Sequence, residues 1–456
     1  MRRILKIKMT TTRIIALGFL GGLLLGSLLL WLPCASKEGQ TVAYIDALFV
    51  ATSALCVTGL SPVVTAVQWS HFGQGVLLLL MQFGGLGVVT FTTAMLLIMR
   101  KRITLSERIL IQDSYNLDSI AGVVRLTKRI VKGTLCVEAA GAILYAFVFI
   151  PQYGIGEGIW KSVFHAVSAF CNAGFDTIGD SGLMVYQTNV LINITTMLLI
   201  ILGGLGFPVW WDLVDKFKGV CRKEIMFRDL FRKTMLHTKL VLCITLVLLF
   251  GGMVLFFVFE YRNPNTLGKL SFGNQIMAAL FESVTLRTAG FQTISHADLT
   301  EASELLALLF MFIGGSPSGT AGGVKTVTMA ILVLSALSAI RGDHEVTVFH
   351  RKITDNYVRR AIAVIVVSMT SLFVICMLLC ITEQADFMDI LFEVTSAIGT
   401  VGLTQGLTTE LSVAGKLLIA FAMYIGRLGP ITMALAFNSK TYEGKKTMAE
   451  GKVIIG

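Results

Sequence analysis

Apolar residues fall in long blocks along this chain, and polar residues gather between them. Eight blocks are long enough to cross a bilayer as helices: 14–32, 76–99, 131–150, 190–211, 240–259, 305–340, 361–381 and 417–437, the sixth with an interruption. Between the two blocks of each successive pair lies a shorter apolar stretch, at 44–55, 158–170, 274–285 and 386–397. A hydrocarbon core of about 30 Å needs about 20 residues of helix. The short stretches therefore suit half-helices that enter the membrane and return. The pattern predicts an all-α membrane protein with eight transmembrane helices and four half-helices. They form four units, 1–110, 111–225, 226–345 and 346–456, each reading helix, half-helix, loop, helix.

A glycine motif closes each half-helix. Ser53-Ala54-Leu55-Cys56-Val57-Thr58-Gly59-Leu60 is the first copy and Ser168-Ala169-Phe170-Cys171-Asn172-Ala173-Gly174-Phe175 the second. Thr285-Leu286-Arg287-Thr288-Ala289-Gly290-Phe291 is one residue shorter, and Ser396-Ala397-Ile398-Gly399-Thr400-Val401-Gly402-Leu403 is the fourth. The glycines lie 115, 116 and 112 residues apart. A second landmark keeps phase with them. Gly84-Gly85-Leu86-Gly87, Gly203-Gly204-Leu205-Gly206, Gly314-Gly315-Ser316-Pro317 and Gly426-Arg427-Leu428-Gly429 follow at offsets of 25, 29, 24 and 24 residues. Two landmarks in phase over four copies mark duplicated units.

Non-helical backbone at membrane depth survives only where protein buries it or water lines it. Four equivalent loops predict one central pore of quasi-four-fold symmetry, with helix, pore loop and helix repeated around it. Carbonyls that line a pore in succession need dihedrals that include positive φ, which glycine reaches without a Cβ clash. The neighbouring residues differ between copies, as expected if main-chain oxygens do the chemistry. Such carbonyl rings replace an ion's hydration shell, and a bare ion in hydrocarbon would cost tens of kcal/mol. No carboxylate occupies the loop positions. Asp46, Glu282 and Glu393 lie near the half-helices and read as anchors for the loops or as cation attractors at the entrance.

Composition agrees with a membrane protein, at 55% hydrophobic and 14% charged, against about a quarter charged in soluble proteins. With the N-terminus placed in the cytoplasm, the cytoplasmic pieces 1–13, 100–132, 216–239, 341–360 and 438–456 hold 30 of the 38 Lys and Arg. This positive-inside bias puts both termini in the cytoplasm. The same distribution speaks against a nucleic-acid surface, since the basic residues fall in every cytoplasmic loop. The 100–132 segment is expected to run along the membrane face with an amphipathic helix. The first block follows Arg2, Arg3, Lys6 and Lys8, but it is long for a secretory signal and lacks a cleavage pattern. No CxxC pair, HExxH motif or phosphate-loop spacing is present. No enzyme chemistry and no organic cofactor are expected.

The four glycine motifs resemble the filter motifs of the potassium-transporter superfamily of TrkH, KtrB and plant HKT proteins. The likeness covers essentially the whole chain, and its length is more similar to KtrB than to TrkH. The resemblance implies K+ uptake across a bacterial plasma membrane, often Na+-dependent, by a homodimer with a cytoplasmic nucleotide-binding ring of RCK-type subunits. It implies K+ binding at Val57, Thr58, Gly59, Asn172, Ala173, Gly174, Thr288, Ala289, Gly290, Thr400, Val401 and Gly402 through their carbonyls. In the plant members, serine at the first filter glycine goes with sodium preference. Gly59 here favours potassium over a sodium-selective relative. An alternating-access solute carrier would instead show inverted repeats and one polar pocket at the midplane.

The third return helix is interrupted by Gly314, Gly315, Ser316, Pro317, Ser318, Gly319, Thr320, Ala321, Gly322 and Gly323. Five glycines and a proline in ten residues cannot stay helical. Repeat symmetry predicts a continuous helix there, as after Gly87 in the first unit. The break reads as a flexible intramembrane loop obstructing the pore, with a packing kink as the alternative. Arg427 stands where the first two units have Gly85 and Gly204. A charge within a span is a functional candidate, and the resemblance favours a cationic barrier touching the loop. Lys325 is the other unusual charge.

Overall fold

The computed structural model describes residues 11–99, 103–105, 108–109, 112, 122–224, 226–343 and 345–429. The expected amphipathic helix in 100–132, the end of the 417–437 block and the basic 438–456 segment lie largely or wholly outside them.

Among the described residues the regular structure is almost entirely helical. Helix α1 (Thr11–Trp31) leads to α2 (Tyr44–Cys56), α3 (His71–Leu86) and α4 (Val88–Ile98). The order then repeats. Helices α5 (Val123–Tyr153), α6 (Ile155–Cys171), α7 (Val190–Gly204) and α8 (Phe207–Cys221) form the second set. Helices α9 (Leu236–Glu260), α10 (Phe272–Thr285), α11 (Glu301–Phe312) and α12 (Thr326–Arg341) form the third. Helices α13 (Asp355–Thr382), α14 (Phe387–Gly399) and α15 (Val413–Leu428) form the fourth.

Length sorts these helices. At about 1.5 Å per residue, the 21, 31, 25 and 28 residues of α1, α5, α9 and α13 exceed a hydrocarbon core. The 13 residues of α2 and of α14 do not. Four helices are long and apolar enough to span alone, and α3–α4 and α7–α8 raise the number to six if each bent pair is one span. The expectation of uninterrupted spans over 76–99 and 190–211 is therefore corrected. Both helix pairs turn sharply at a glycine, by 108° at Gly87 and 99° at Gly206, where φ is 81° and 89°. The helix is not continuous after Gly87, so the third set differs from the first two in the length of its break and not in being broken.

Each return helix starts with the same device. Ser70, Asn189, Thr300 and Ser412 are N-caps whose side chains accept from the N–H of Gly73, Ile192, Ser303 and Gly415. Each cap lies 14 residues before its glycine landmark at Gly84, Gly203, Gly314 or Gly426. A polar cap satisfies a donor that would otherwise be orphaned at the helix end. The constant spacing sets each landmark at one height along its helix.

Packing closes the sets into a circle. The long helix packs on the half-helix within each set, as α1 on α2, α5 on α6, α9 on α10 and α13 on α14. Between sets, α3 packs on α6, α7 on α10, α11 on α14 and α15 back on α2. Phe164, Phe281 and Phe392 are fully buried, and Phe49 nearly so. The outer faces of α1, α5, α9 and α13 carry exposed Leu25, Phe147, Val247 and Phe373, as suits surfaces solvated by lipid. A small hairpin between α12 and α13, Thr347–Val348 paired with Arg351–Lys352, has no counterpart in the sequence reading.

Candidate functional site

Each half-helix ends by turning left-handed. Val57 (φ 57°), Asn172 (φ 60°) and Thr400 (φ 50°) directly follow α2, α6 and α14. In the shorter third loop Thr288 (φ 66°) takes this place three residues after α10. The next N–H then bonds back to the half-helix, from Thr58 to Ser53 O (2.8 Å), Ala173 to Ser168 O (2.8 Å), Ala289 to Thr285 O (2.9 Å) and Val401 to Ser396 O (2.8 Å). This is the bonding of a left-handed helix stop. The glycines follow with φ of 106°, 68°, 78° and 93°. Left-handed geometry thus falls on two residues per loop, and only one is glycine. Val57 is β-branched, for which such a φ is an outlier.

The side chain at the head of each motif fixes its glycine loop. Ser53 Oγ accepts from Gly59 N–H at 3.0 Å and Ser396 Oγ from Gly402 N–H at 3.1 Å. Ser168 Oγ donates to Phe175 O at 2.7 Å and Thr285 Oγ1 to Phe291 O at 2.6 Å. These four residues stand in the repeated motifs, where the sequence alone assigns them no role. Their signal was a hydroxyl six residues before the glycine, or five in the shortened loop.

The four glycines meet. A Cβ on Gly59 would lie 2.8 Å from Ala173 O, one on Gly174 2.9 Å from Ala289 O, and one on Gly290 2.6 Å from Val401 O. A Cβ on Gly402 would collide with Thr58 O. Each glycine therefore faces the carbonyl just before the glycine of the next set, and the fourth faces the first. The four glycines and the carbonyls of Thr58, Ala173, Ala289 and Val401 come together here, and Val57, Asn172, Thr288 and Thr400 directly precede them in the chain. Thr58 Oγ1, Asn172 Nδ2, Thr288 Oγ1 and Thr400 Oγ1, one from each loop, are buried without a hydrogen-bond partner. Unpaired buried polar atoms are costly, and each of the four loops carries one.

The 314–323 segment lies against this cluster. A bridge between Ile313 and Val324 pinches its base, and Gly314 N–H donates to Val324 O at 2.8 Å. Ser316 and Thr320 N–H donate to Gly204 O (2.9 Å) and Gly203 O (3.1 Å) at the end of α7. Ser318 O accepts from Phe207 N–H (3.1 Å), the first residue of α8. Thr320 Oγ1 reaches Phe170 O at 3.0 Å, and a Cβ on Gly322 would collide with Thr400 Oγ1. The bend at Gly206 and the loop therefore satisfy each other's backbone groups.

Arg427 joins the loop to the first set. Its guanidinium donates to Thr320 O, to Gly84 O and, at 3.4 Å, to Gly85 O. Gly84, Gly203 and Gly426 each press on a last-turn carbonyl of a half-helix, those of Leu55, Phe170 and Ile398. Arg427 is thus the counterpart of Gly85 and Gly204. The acidic residues act as anchors. Asp46 pairs with Lys416 at 2.7 Å, and Glu282 lies 3.0 Å from His296 Nε2. Glu393 accepts from Thr404 at 2.7 Å and from Thr408.

Comparison with known proteins gives a consistent result. The family model described as TrkH, cation transport protein, matches residues 22–446. A "Potassium/sodium uptake protein NtpJ" of Enterococcus hirae is 39% identical over 462 residues, covering 100% of this chain and 99% of the relative. A "Ktr system potassium uptake protein B" of Bacillus subtilis is 39% identical over 450 residues, covering 99% and 98%. The crystal structure of the potassium transporter TrkH from Vibrio parahaemolyticus aligns with a TM-score of 0.75 at 18% identity, over 96% of this chain and 87% of that one.

Proposed function

Because the chain belongs to the TrkH family of cation transport proteins, a multi-pass membrane transporter and not an enzyme, we propose that it is the potassium-translocating membrane subunit of a bacterial K+ uptake system. In this reading four helix–pore-loop–helix repeats, eight transmembrane helices in all, surround one pore. The carbonyls of residues 57–59, 172–174, 288–290 and 400–402 form its selectivity filter. The observation that carries the reading is the cyclic approach of Gly59, Gly174, Gly290 and Gly402. A ring of main-chain oxygens at membrane depth has the chemistry to replace the hydration of K+. A Cβ on any of the four glycines would run into a carbonyl of a neighbouring loop.

The 314–323 loop is then the gate and Arg427 its latch. The guanidinium puts a fixed positive charge beneath the filter and donates to carbonyls on both sides. Opening requires the loop to move aside, driven by a partner that binds the open state better. The Ktr-system naming of relatives supports a multi-component assembly, here a homodimer on a cytoplasmic RCK-type ring. Arg222, Lys223, Arg228, Arg232 and Lys233 stand ready to dock it, with both termini on the same side.

A second reading, in which sodium is also carried or coupled, is favoured by the potassium/sodium name of the Enterococcus hirae relative. Rubidium and sodium flux into liposomes holding the purified protein, with and without its cytosolic partner, separates the two. Rubidium uptake that ignores sodium supports the first reading. Sodium-dependent rubidium uptake or direct sodium flux supports the second. Neither flux in a folded protein with its partner would overturn both.

A further inference from the structure

We propose that the main-chain carbonyls of Ala321 and Gly322 form a binding site for a monovalent cation of about the size of K+, and that the ammonium group of Lys325 fills this site while the loop is closed. The inference rests on the reading of the loop as a gate in a potassium path. Lys325 Nζ lies 2.7 Å from Ala321 O and 3.4 Å from Gly322 O. The preceding carbonyl, Thr320 O, accepts from Arg427. None of the three accepts a main-chain N–H among the described residues. Three successive loop carbonyls are thus left free by the backbone and taken up by two of the chain's own cations.

The arrangement is not one that helix stability alone would choose. Lys325 is the N-cap of α12 and makes no side-chain cap there. A cation at that end faces the partial positive charge of the unpaired N–H groups. The Lys325 ammonium also sits one carbonyl away from the Arg427 guanidinium, and like charges at such range repel. What holds Lys325 is the pair of oxygens. Gly323, with φ 64°, turns the chain so that the side chain folds back over them. An ammonium group and K+ are close in size and take the same oxygen ligands, and carbonyl oxygens in succession are the ligands of a K+ filter. A cation leaving the filter would therefore meet a site already occupied by a tethered substitute. Displacing Lys325 would both bind the cation and loosen the loop.

The test uses the full-length protein, wild type and Lys325→Met, in liposomes and in detergent, with rubidium as the probe. Lys325→Met is expected to raise partner-independent rubidium uptake about tenfold, the loss of roughly one charge-assisted hydrogen bond from the closed loop. It is also expected to add one bound rubidium per chain in equilibrium binding. Lys325→Arg keeps charge and donors and should restore closure. If Lys325→Met fails to fold, Lys325→Gln takes its place. Wild-type uptake and wild-type stoichiometry in the neutral variant would overturn the site. Raised uptake without the extra rubidium would reduce Lys325 to a clamp and also overturn it, as would a Lys325→Arg variant as leaky as Lys325→Met. Absence of rubidium uptake by the folded wild type with its partner would instead overturn the potassium reading itself.

Discussion

Lys416 Nζ lies 2.7 Å from Asp46 Oδ1, an ion pair between residues 370 positions apart. It joins α15, the last described helix, to the first turn of α2, and so closes the circle of sets. Both side chains are mostly buried, at 15% and 19% exposure. Breaking a shielded pair leaves one charge uncompensated.

Asp46→Asn is therefore expected to destabilise the folded protein by about 1–3 kcal/mol, between the values for exposed and buried pairs. Thermal unfolding in detergent would read this as a lower midpoint. The swap Asp46→Lys with Lys416→Asp should recover part of it. Equal midpoints for wild type and Asp46→Asn would show that the pair does not hold the circle.

Gly59→Ser should weaken the preference for potassium over sodium by about tenfold, or about 1.4 kcal/mol. The new Cβ would stand 2.8 Å from Ala173 O, at a φ of 106° that serine rarely adopts. Gly402→Ser should be more damaging, because its Cβ would collide with Thr58 O. Competition of rubidium uptake by sodium measures both. A folded Gly59→Ser protein with the wild-type preference would remove Gly59 from the filter.

Ser53→Ala and Ser396→Ala each remove a hydrogen bond to a loop-glycine N–H, at 3.0 and 3.1 Å. Each should cost about 1 kcal/mol and loosen selectivity less than a glycine substitution does. Replacing both should lower the potassium-to-sodium ratio further than either change alone. If the ratio holds in the double variant, the hydroxyls only stop the helix.

Arg427→Gln should raise partner-independent flux, because it removes both the charge and the bonds to Thr320 O and Gly84 O. Deleting part of 316–322 should do the same and leave the selectivity of the four loops intact. Charge-assisted bonds of this kind are worth about 1.5–3 kcal/mol each, so a rise of tenfold or more is expected. Flux as low and as partner-dependent as in the parent, from a folded protein, would make the segment a packing feature.

Neutralising Arg222, Lys223, Arg228, Arg232 and Lys233 together should weaken capture of the soluble partner and flatten its salt dependence. Co-purification unchanged in yield and in salt sensitivity would leave these residues to orientation and lipid contact.

The sequence by itself determined the helical membrane class, the four short helices ahead of the glycine loops to within a few residues at each end, and the glycines that must be left without side chains. These follow from composition, block length and spacing, all local properties of the chain. The start of α6 at Ile155, three residues before its predicted start, shows how far such local signals resolve an end. Tertiary structure alone decided three things. In the second set the helix bends at Gly206, where Phe207 N–H finds its acceptor, Ser318 O, in a loop more than a hundred residues away. Which glycine faces which carbonyl depends on the circular order of packing, and no single motif contains that order. Arg427 was legible as a misplaced charge, but its three carbonyl partners come from two distant segments. An arginine in a span signals that acceptors exist, and only the assembled bundle says which ones.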